Sequence, residues 1–356
     1  MRLGPGSDTQ TLANFTPPPE VTITNPGGKV LSYYVLPGAA PYDDVFTGMH
    51  GTHTTGCAVG DDYARLAGSD APGRDPADGM APGARIVFQD AGAADGSLSA
   101  LDLVSQTLIH LQAYDSGVRV HNDSYGLRGF EFPYDAESAQ IDDITWRLTD
   151  YVVVFAAGNN GEFGPRSLGG LGAVAKNTLS VGATLNGTMN GGEDLAGFSS
   201  LGPTLDGRIK PDVVAPGVVF SANEPAVENG MSVTDPPNDN CAIDALPVPG
   251  TSFAAPTVAG GALLVREYFR EGYYPTGRPD PANARTPTNA LVRAILINAG
   301  RPLAGQIIDI GTGAVIGSLA PIPSFEQGWG RITLDDALYF SGDDRALVVL
   351  NDVRNG

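Results

Sequence analysis

The clearest candidate for chemistry is Ser252, which lies in the stretch "PVPGTSFAAPTVAGG", residues 247–261. A serine before a run of small residues is typical of a helix N-cap, and a proline is tolerated in the first helical turn. A nucleophilic serine would benefit from the same place, because a helix N-terminus favours developing negative charge. Taken alone, this stretch leaves both interpretations open.

A candidate base lies far upstream, in "MHGTHTTG", residues 49–56. His50 and His53 are three residues apart, so they share one face of a helix and could form a metal pair. No glutamate or third ligand accompanies them, and we therefore expect no metal site there. A histidine in the first turn of a small-residue helix, which a serine can approach, suits a general base better.

A third candidate follows the apolar run "DYVVVFAA", which ends in Gly158-Asn159-Asn160-Gly161. The side-chain amide of Asn159, just past a buried strand, could donate a hydrogen bond to an oxyanion. A Gly-Asn pair is also an ordinary turn signal, so this motif alone decides nothing.

The elements that must position these residues follow an alternating pattern. Short apolar runs, which include "ARIVFQ", "GVRVH", "NTLSVGA" and "KPDVVAPG", predict buried parallel strands. Apolar residues at helical spacing predict one helix through Leu101, Val104, Leu108 and Leu111 that ends at Gly117, and another through Ile141, Ile144 and Leu148. This alternation predicts an α/β fold with helices on both faces of a parallel sheet, and chemistry at the carboxyl ends of the strands.

Composition narrows the classes of partner. The 356 residues hold 40 acidic and 21 basic side chains, for a net charge of −19, which argues against nucleic acid or an anionic membrane surface. No apolar stretch approaches the length of a membrane span. We expect a monomer.

Cysteines and acidic loops leave two questions open. Cys57 and Cys241 cannot form a disulfide scaffold; a buried Cys57 thiol is favoured over a single disulfide between them. Residues 60–79 form an acidic loop rich in glycine and proline, which predicts a solvated loop. A structural calcium site is the alternative, with candidate ligands Asp61, Asp62, Asp70, Asp75 and Asp78.

Taken together, the motifs resemble those of the subtilisin-like serine proteases, the subtilase family. "HGTHTTG" is similar to the histidine motif of that family, "AAGNNG" to its oxyanion segment and "GTSFAAPTVAG" to its nucleophile motif. "FSSLGPTLDGRIKPDVVAPG", residues 198–217, resembles the segment that precedes the nucleophile. The resemblance runs from about Asp8 to Leu338 in the family's order of motifs, and it favours the nucleophile interpretation of Ser252 over a simple cap.

The resemblance implies a three-layer αβα fold with a central, mostly parallel sheet, and a serine endopeptidase that acts through an acyl-enzyme. His50 would take the proton of Ser252, and Asn159 would stabilise the oxyanion together with the Ser252 N–H group. His53 would be structural. A peptide or protein substrate would pair as a β-strand with Ser124, Tyr125 and Gly126, and would place a side chain in a pocket lined by Ala156, Ala157 and Gly158.

The chain departs from the family pattern at its start. The family's aspartate lies in an Asp-Ser/Thr-Gly motif, and the matching residue here is Asp8 in "SDTQT", with Gln10 in place of glycine. Asp43 and Asp44 are the fallback candidates for the triad carboxylate. Met49, Phe253 and Thr257 replace more usual residues and are expected to be tolerated packing changes.

The resemblance also sets the expected organisation and the competing functions. Residues 1–340 would form the peptidase domain, with an incomplete N-terminal strand, and residues 341–356 would begin a further segment. No cofactor is needed for the chemistry, and family members of this kind are extracellular or secreted. Two alternatives remain open: a ligating or processing acyl transferase that uses the same intermediate, and an inactive relative that binds peptides through the strand at Ser124.

Overall fold

The computed structural model of the chain describes residues 20–21, 29–40, 50–60, 78–93, 95–186, 192–219, 227–228, 231–232 and 248–350. The helices of this part are α1 (His50–Val59), α2 (Gln106–Asp115), α3 (Ala136–Arg147), α4 (Thr251–Arg270) and α5 (Asn289–Asn298). The strands are β1 (Glu20–Val21), β2 (Val30–Val35), β3 (Ile86–Asp90), β4 (Val120–Asp123), β5 (Val152–Ala156), β6 (Leu179–Thr184), β7 (Leu195–Ala196), β8 (Val213–Pro216), β9 (Val218–Val219), β10 (Val227–Glu228), β11 (Met231–Ser232), β12 (Val248–Pro249), β13 (Gly300–Arg301), β14 (Gln306–Ile308), β15 (Val315–Ser318) and β16 (Arg331–Ile332).

A nine-stranded mixed sheet forms the centre of the molecule. Its middle strands run parallel in the order β4-β5-β6-β8, and β16 continues in parallel beside β8. Antiparallel pairs occur towards the margins, where β13 pairs with β16 and β14 with β15. β2 and β3 pair in parallel within a separate three-stranded sheet. The predicted α/β fold with a mostly parallel central sheet is therefore confirmed.

The central strands are buried on both faces, as their continuous apolar sequences predict. Every residue of β5 and β6 is buried. One face is covered by α4, which contacts β4, β5, β6 and β8. The core face of α4 is lined by small residues that let the helix approach the sheet closely: Ala254, Ala255, Val258, Ala259 and Ala262.

The region predicted as one helix through Leu101 and Leu111 is in fact two elements. Residues Ser99–Leu103 form a 3₁₀ helix, and the chain is extended at Val104. Ser105 then caps α2 by accepting a hydrogen bond from Leu108 N at 3.3 Å. The apolar spacing continued across the break because both elements bury residues against the same core, so periodicity alone did not reveal it.

The predicted helix through Ile141 and Ile144 is present as α3, and both of these side chains are buried. Asp135 caps α3 by accepting a hydrogen bond from Ser138 N at 2.8 Å. Leu148 lies at the C-cap, one residue beyond the helix.

At the C-terminal end, the described chain stays attached to the domain beyond residue 340. Leu347 and Val349 are partly buried against the main core, and Val349 N donates a hydrogen bond to the Tyr274 hydroxyl at 3.2 Å. The predicted start of a further segment at residue 341 stays a prediction. In the part of the chain that the structure describes, no helix combines the length and the apolar character needed to cross a membrane.

Candidate active site

Ser252 lies at the start of α4, where the helix meets the carboxyl end of β4. It is the second residue of the helix, after Gly250 at the cap position, and it is 7% exposed. Its hydroxyl donates to the Ser124 carbonyl oxygen at 3.3 Å rather than to the turn of its own helix. The N-cap interpretation of Ser252 is therefore wrong, because the side chain points across to the neighbouring strand end.

A second, shorter hydrogen bond joins the same two residues. The Ser124 hydroxyl donates to the Ser252 carbonyl oxygen at 2.7 Å, and Asn122 Nδ2 donates to the Ser124 hydroxyl at 2.8 Å. The Ser252 hydroxyl bond is long for an O–H···O contact, so it holds that proton only weakly. The backbone of Ser252 is thus fixed against β4 while its hydroxyl remains able to rotate.

Asn159 is clamped to the N-terminus of α4 through its side-chain oxygen. Oδ1 accepts from Thr251 N at 2.8 Å and from the Thr251 hydroxyl at 2.9 Å. The Thr251 hydroxyl in turn accepts from Gly158 N at 3.2 Å. Because both bonds end on the oxygen, the Nδ2 group is the donor end that the amide can offer to another molecule. Asn159 is exposed, so this end of the strand is open to solvent.

The strand end at residues 126–127 and the turn at residues 157–158 are tied together by Gly169. Leu127 N donates to Gly169 O at 2.8 Å, and Gly169 N donates to Ala157 O at 2.8 Å. A Cβ atom at Gly126 would lie 3.3 Å from Gly169 O. The backbone segments therefore approach each other too closely for larger residues to be accommodated without adjustment.

Gly158 has a more stringent requirement, because its φ angle is +111°. A Cβ atom there would lie 2.7 Å from Ser200 Oγ and 2.9 Å from Gly169 N. Glycine is thus required both by conformation and by space. The side chains of Ala156 and Ala157, by contrast, are buried in the core, so only their backbone could border a pocket.

Asn160 is a residue that the sequence analysis did not single out. It is 3% exposed, and its Nδ2 group donates to Leu127 O at 2.9 Å and to Ser167 O at 3.2 Å. Its backbone N–H donates to Ser200 Oγ at 3.0 Å. Asn160 therefore connects the segment after the substrate strand to the facing loop. The only sequence signal was its place in a second asparagine after Asn159.

Thr251 was likewise missed, although it directly precedes Ser252 in the motif. It is fully buried and makes all the described contacts that hold Asn159 in place. A buried threonine beside a candidate nucleophile is a usable signal, because its hydroxyl must find partners.

His50 begins α1 and is half-buried, while His53 is buried. The two rings lie against Phe253, with centroid distances of 5.5 Å from His50 and 4.3 Å from His53. Helices α1 and α4 approach closely at Gly260, where a Cβ atom would lie 2.8 Å from Ala58 O. Phe253, which replaces a more usual residue, thus packs between the helix of the candidate base and that of the candidate nucleophile.

Several predicted residues lie outside the described part of the chain. These include all three carboxylate candidates for the triad, Asp8, Asp43 and Asp44, and also Cys241. Of the candidate calcium ligands, only Asp78 is described. The triad carboxylate, the disulfide and the calcium site therefore stay predictions.

Comparisons with known proteins agree with the motifs. Residues 35–330 match the model of the subtilase family. The chain is 27% identical over 397 residues to the Serine protease/ABC transporter B family protein tagD of Dictyostelium discoideum, a match that covers 87% of the chain and 21% of that protein. It is 30% identical over 234 residues to Serine protease AprX of Bacillus subtilis, which covers 63% of the chain and 49% of AprX.

Among solved structures, the protease domain of PatA is similar, with a TM-score of 0.55, 21% identity and 91% of each chain covered. This likeness supports the fold. The chain spans about a fifth of the length of the first curated relative, as its 21% coverage shows.

Proposed function

Because this chain belongs to the subtilase family, we propose that it is a serine endopeptidase that hydrolyses peptide bonds through an acyl-enzyme on Ser252. The observation that carries the proposal is the arrangement at the start of α4. There the Ser252 hydroxyl lies beside the end of β4, and the Asn159 amide is held by Thr251 with its donor group unused by either bond. A nucleophile and a fixed donor at one helix N-terminus suit acyl transfer.

In the proposed reaction, the Ser252 oxygen attacks the substrate carbonyl carbon while His50 accepts the hydroxyl proton. The carbonyl oxygen becomes an oxyanion, which the Asn159 Nδ2 group and the Ser252 N–H group stabilise. When the intermediate collapses, the C–N bond breaks and His50 returns its proton to the leaving amine. Water then attacks the ester by the same route and releases the acid. The positive end of α4 favours the oxyanion in both steps.

The proposed substrate is an extended peptide or protein segment that pairs with residues Ser124, Tyr125 and Gly126. The glycines at positions 126, 158 and 169 support this, because they let backbone segments border a cleft without side chains that fill it. We extend the proposal to a monomer that acts outside the cell and needs no cofactor for the chemistry.

Labelling with a fluorophosphonate probe tests the proposed function directly, because only an activated serine reacts at a useful rate. The wild-type chain should be labelled and should hydrolyse a casein substrate, whereas Ser252→Ala should do neither while keeping its circular dichroism spectrum. Ser124→Ala serves as a control for an accessible serine at the same site: it should reduce hydrolysis but still be labelled. Labelling of Ser252→Ala would refute the assignment.

The same assay separates the alternatives. An inactive peptide-binding relative would bind casein peptides without labelling, and an acyl transferase would form new amide bonds when an amine acceptor is added. Hydrolysis as the main outcome in the presence of a competing amine supports the peptidase.

The carboxylate of the triad is proposed to be Asp8. Replacement Asp8→Asn should lower kcat by up to about 10⁴-fold, because the imidazolium and its tautomer lose their support. Asp43→Asn and Asp44→Asn are the matched controls. A loss of activity in either of these, with full activity in Asp8→Asn, would move the role to that residue.

A further inference from the structure

A buried polar cluster lies behind the strand that leads to Ser124. It consists of His110 on α2 and of His121 and Asp123 on β4. One ring nitrogen of each histidine and one Asp123 oxygen lie within 4.8 Å of one another. His110 is fully buried, Asp123 is 3% exposed and the His121 side chain is 12% exposed. None of these three residues has a role in the proposed peptidase chemistry.

The hydrogen bonds of Gln89 define the state of His121. Gln89 Nε2 donates to Ile109 O at 3.0 Å and to Gln112 Oε1 at 2.6 Å, so Gln89 Oε1 is an acceptor. That oxygen lies 3.0 Å from His121 Nε2, which must therefore carry the hydrogen. His121 Nδ1 then faces Asp123 Oδ2 at 3.0 Å. In a neutral ring this would set a lone pair against a carboxylate oxygen, so a proton or a metal ion must lie at this contact.

His110 supplies the second observation. Its Nδ1 lies 3.1 Å from the Tyr151 hydroxyl, while its Nε2 is buried without a hydrogen-bond partner in the described structure. Burial, reinforced by His121, lowers the pKa of His110 to about 3, so the ring is neutral near pH 7. A neutral imidazole with one nitrogen engaged and the other unused is the form that ligates metals.

We propose that His110, His121 and Asp123 bind one Zn²⁺ ion. Two imidazole nitrogens and a carboxylate oxygen are ligands that zinc accepts, whereas calcium and magnesium prefer oxygen ligands alone. Tyr151 and Gln89 hold the ring nitrogens that face away from the ion, as the outer partners of metal-bound histidines commonly do.

The geometry requires a small closure of the cluster. With metal–ligand distances near 2.1 Å, tetrahedral ligand atoms lie about 3.4 Å apart. His121 and Asp123 are already at 3.0 Å, so the main movement is the approach of the His110 nitrogen from a separation of at most 4.8 Å. A water molecule would complete the fourth position.

The ion would fasten α2 to the end of β4. Asp123 directly precedes Ser124, whose hydroxyl and carbonyl oxygen both bond to Ser252. The site would thus stabilise the floor of the cleft. This inference goes beyond the proposed peptidase activity and does not depend on it.

Zinc content measured in the Ser252→Ala chain tests the site without interference from self-cleavage. After equilibrium dialysis against micromolar free Zn²⁺, elemental analysis should find one zinc per chain. His110→Gln and Asp123→Asn should each weaken binding by at least about 100-fold in a chelator competition, because each removes one of three ligands. Asp123→Asn nearly preserves side-chain shape, so it also covers the case in which His110→Gln fails to fold.

The matched control is His50→Gln, the same change at a histidine outside the cluster, which should keep one zinc. Binding of Co²⁺ to the unaltered site should give the visible bands of a tetrahedral nitrogen and oxygen site without thiolate charge transfer, which excludes Cys57 as a ligand. Absence of bound zinc in the parent chain would overturn the proposal and would leave a proton as the cation between His121 and Asp123. Zinc lost only in His50→Gln would equally overturn it.

Discussion

Thr251 provides the most informative perturbation of the candidate site, because Thr251→Val removes one hydroxyl and nearly preserves shape. That hydroxyl donates to Asn159 Oδ1 at 2.9 Å and accepts from Gly158 N at 3.2 Å. The bond from Thr251 N to the same oxygen, at 2.8 Å, remains in the variant. The substitution therefore loosens the Asn159 amide without releasing it.

The expected effect on rate follows from the share of the clamp that is lost. One neutral hydrogen bond is worth about 0.5–1.5 kcal/mol net, and a loss near the upper end corresponds to about a tenfold change in rate. We expect kcat to fall about tenfold with little change in KM, because the donor acts on the oxyanion and not on the bound substrate. The free energy of unfolding should fall by about 1–3 kcal/mol, since Gly158 N loses its acceptor.

Steady-state hydrolysis of a chromogenic peptide, at a temperature where each variant is fully folded, measures this change. Thr257→Val is the matched control: it removes the same group from the same helix, where the hydroxyl bonds to Phe253 O at 2.9 Å. Its kcat should stay unchanged.

A double variant makes the test sharper. If Thr251 acts through Asn159, then adding Thr251→Val to Asn159→Leu should lower kcat no further, so the two effects should not add. Fully additive losses, or a wild-type kcat in Thr251→Val, would refute the argument that Thr251 positions the oxyanion donor.

Three other outcomes are expected. Asn159→Leu should reduce kcat by about 10²- to 10³-fold with KM nearly constant, and a change in KM alone would make Asn159 a substrate contact instead. Gly158→Ala should lower the melting temperature and the activity, because its φ of +111° and the atoms 2.7–2.9 Å from a Cβ leave no room; an unaltered melting temperature would contradict this. In a chelating buffer, the chain should lose stability as the pH falls from about 6.5 towards 3, because the unfolded state binds a proton that His110, with its pKa of about 3, refuses. The slope relative to His110→Gln should reach about 1.4 kcal/mol per pH unit, and equal urea-denaturation profiles for the two chains would refute it.

The sequence by itself determined the elements whose signal is local. The apolar runs of β5 and β6 identified buried strands, because a strand covered on both faces needs nearly continuous apolar residues. The motifs around His50, Asn159 and Ser252 indicated the family, since each is a short run whose residue types serve one local turn or helix start. The break between the 3₁₀ helix and α2 escaped the same reasoning, because both elements bury side chains in one core.

Only the tertiary structure decided which groups meet across the fold. The hydroxyl of Ser252 turns to Ser124, 128 positions away in the chain, and the oxygen of Asn159 caps the N-terminus of α4, 92 positions away. The three residues of the buried cluster come from α2 and β4, and their spacing along the chain matches no metal motif. Such partners are selected by packing of the helices against the sheet, and this information is distributed over the whole core rather than held in any one segment.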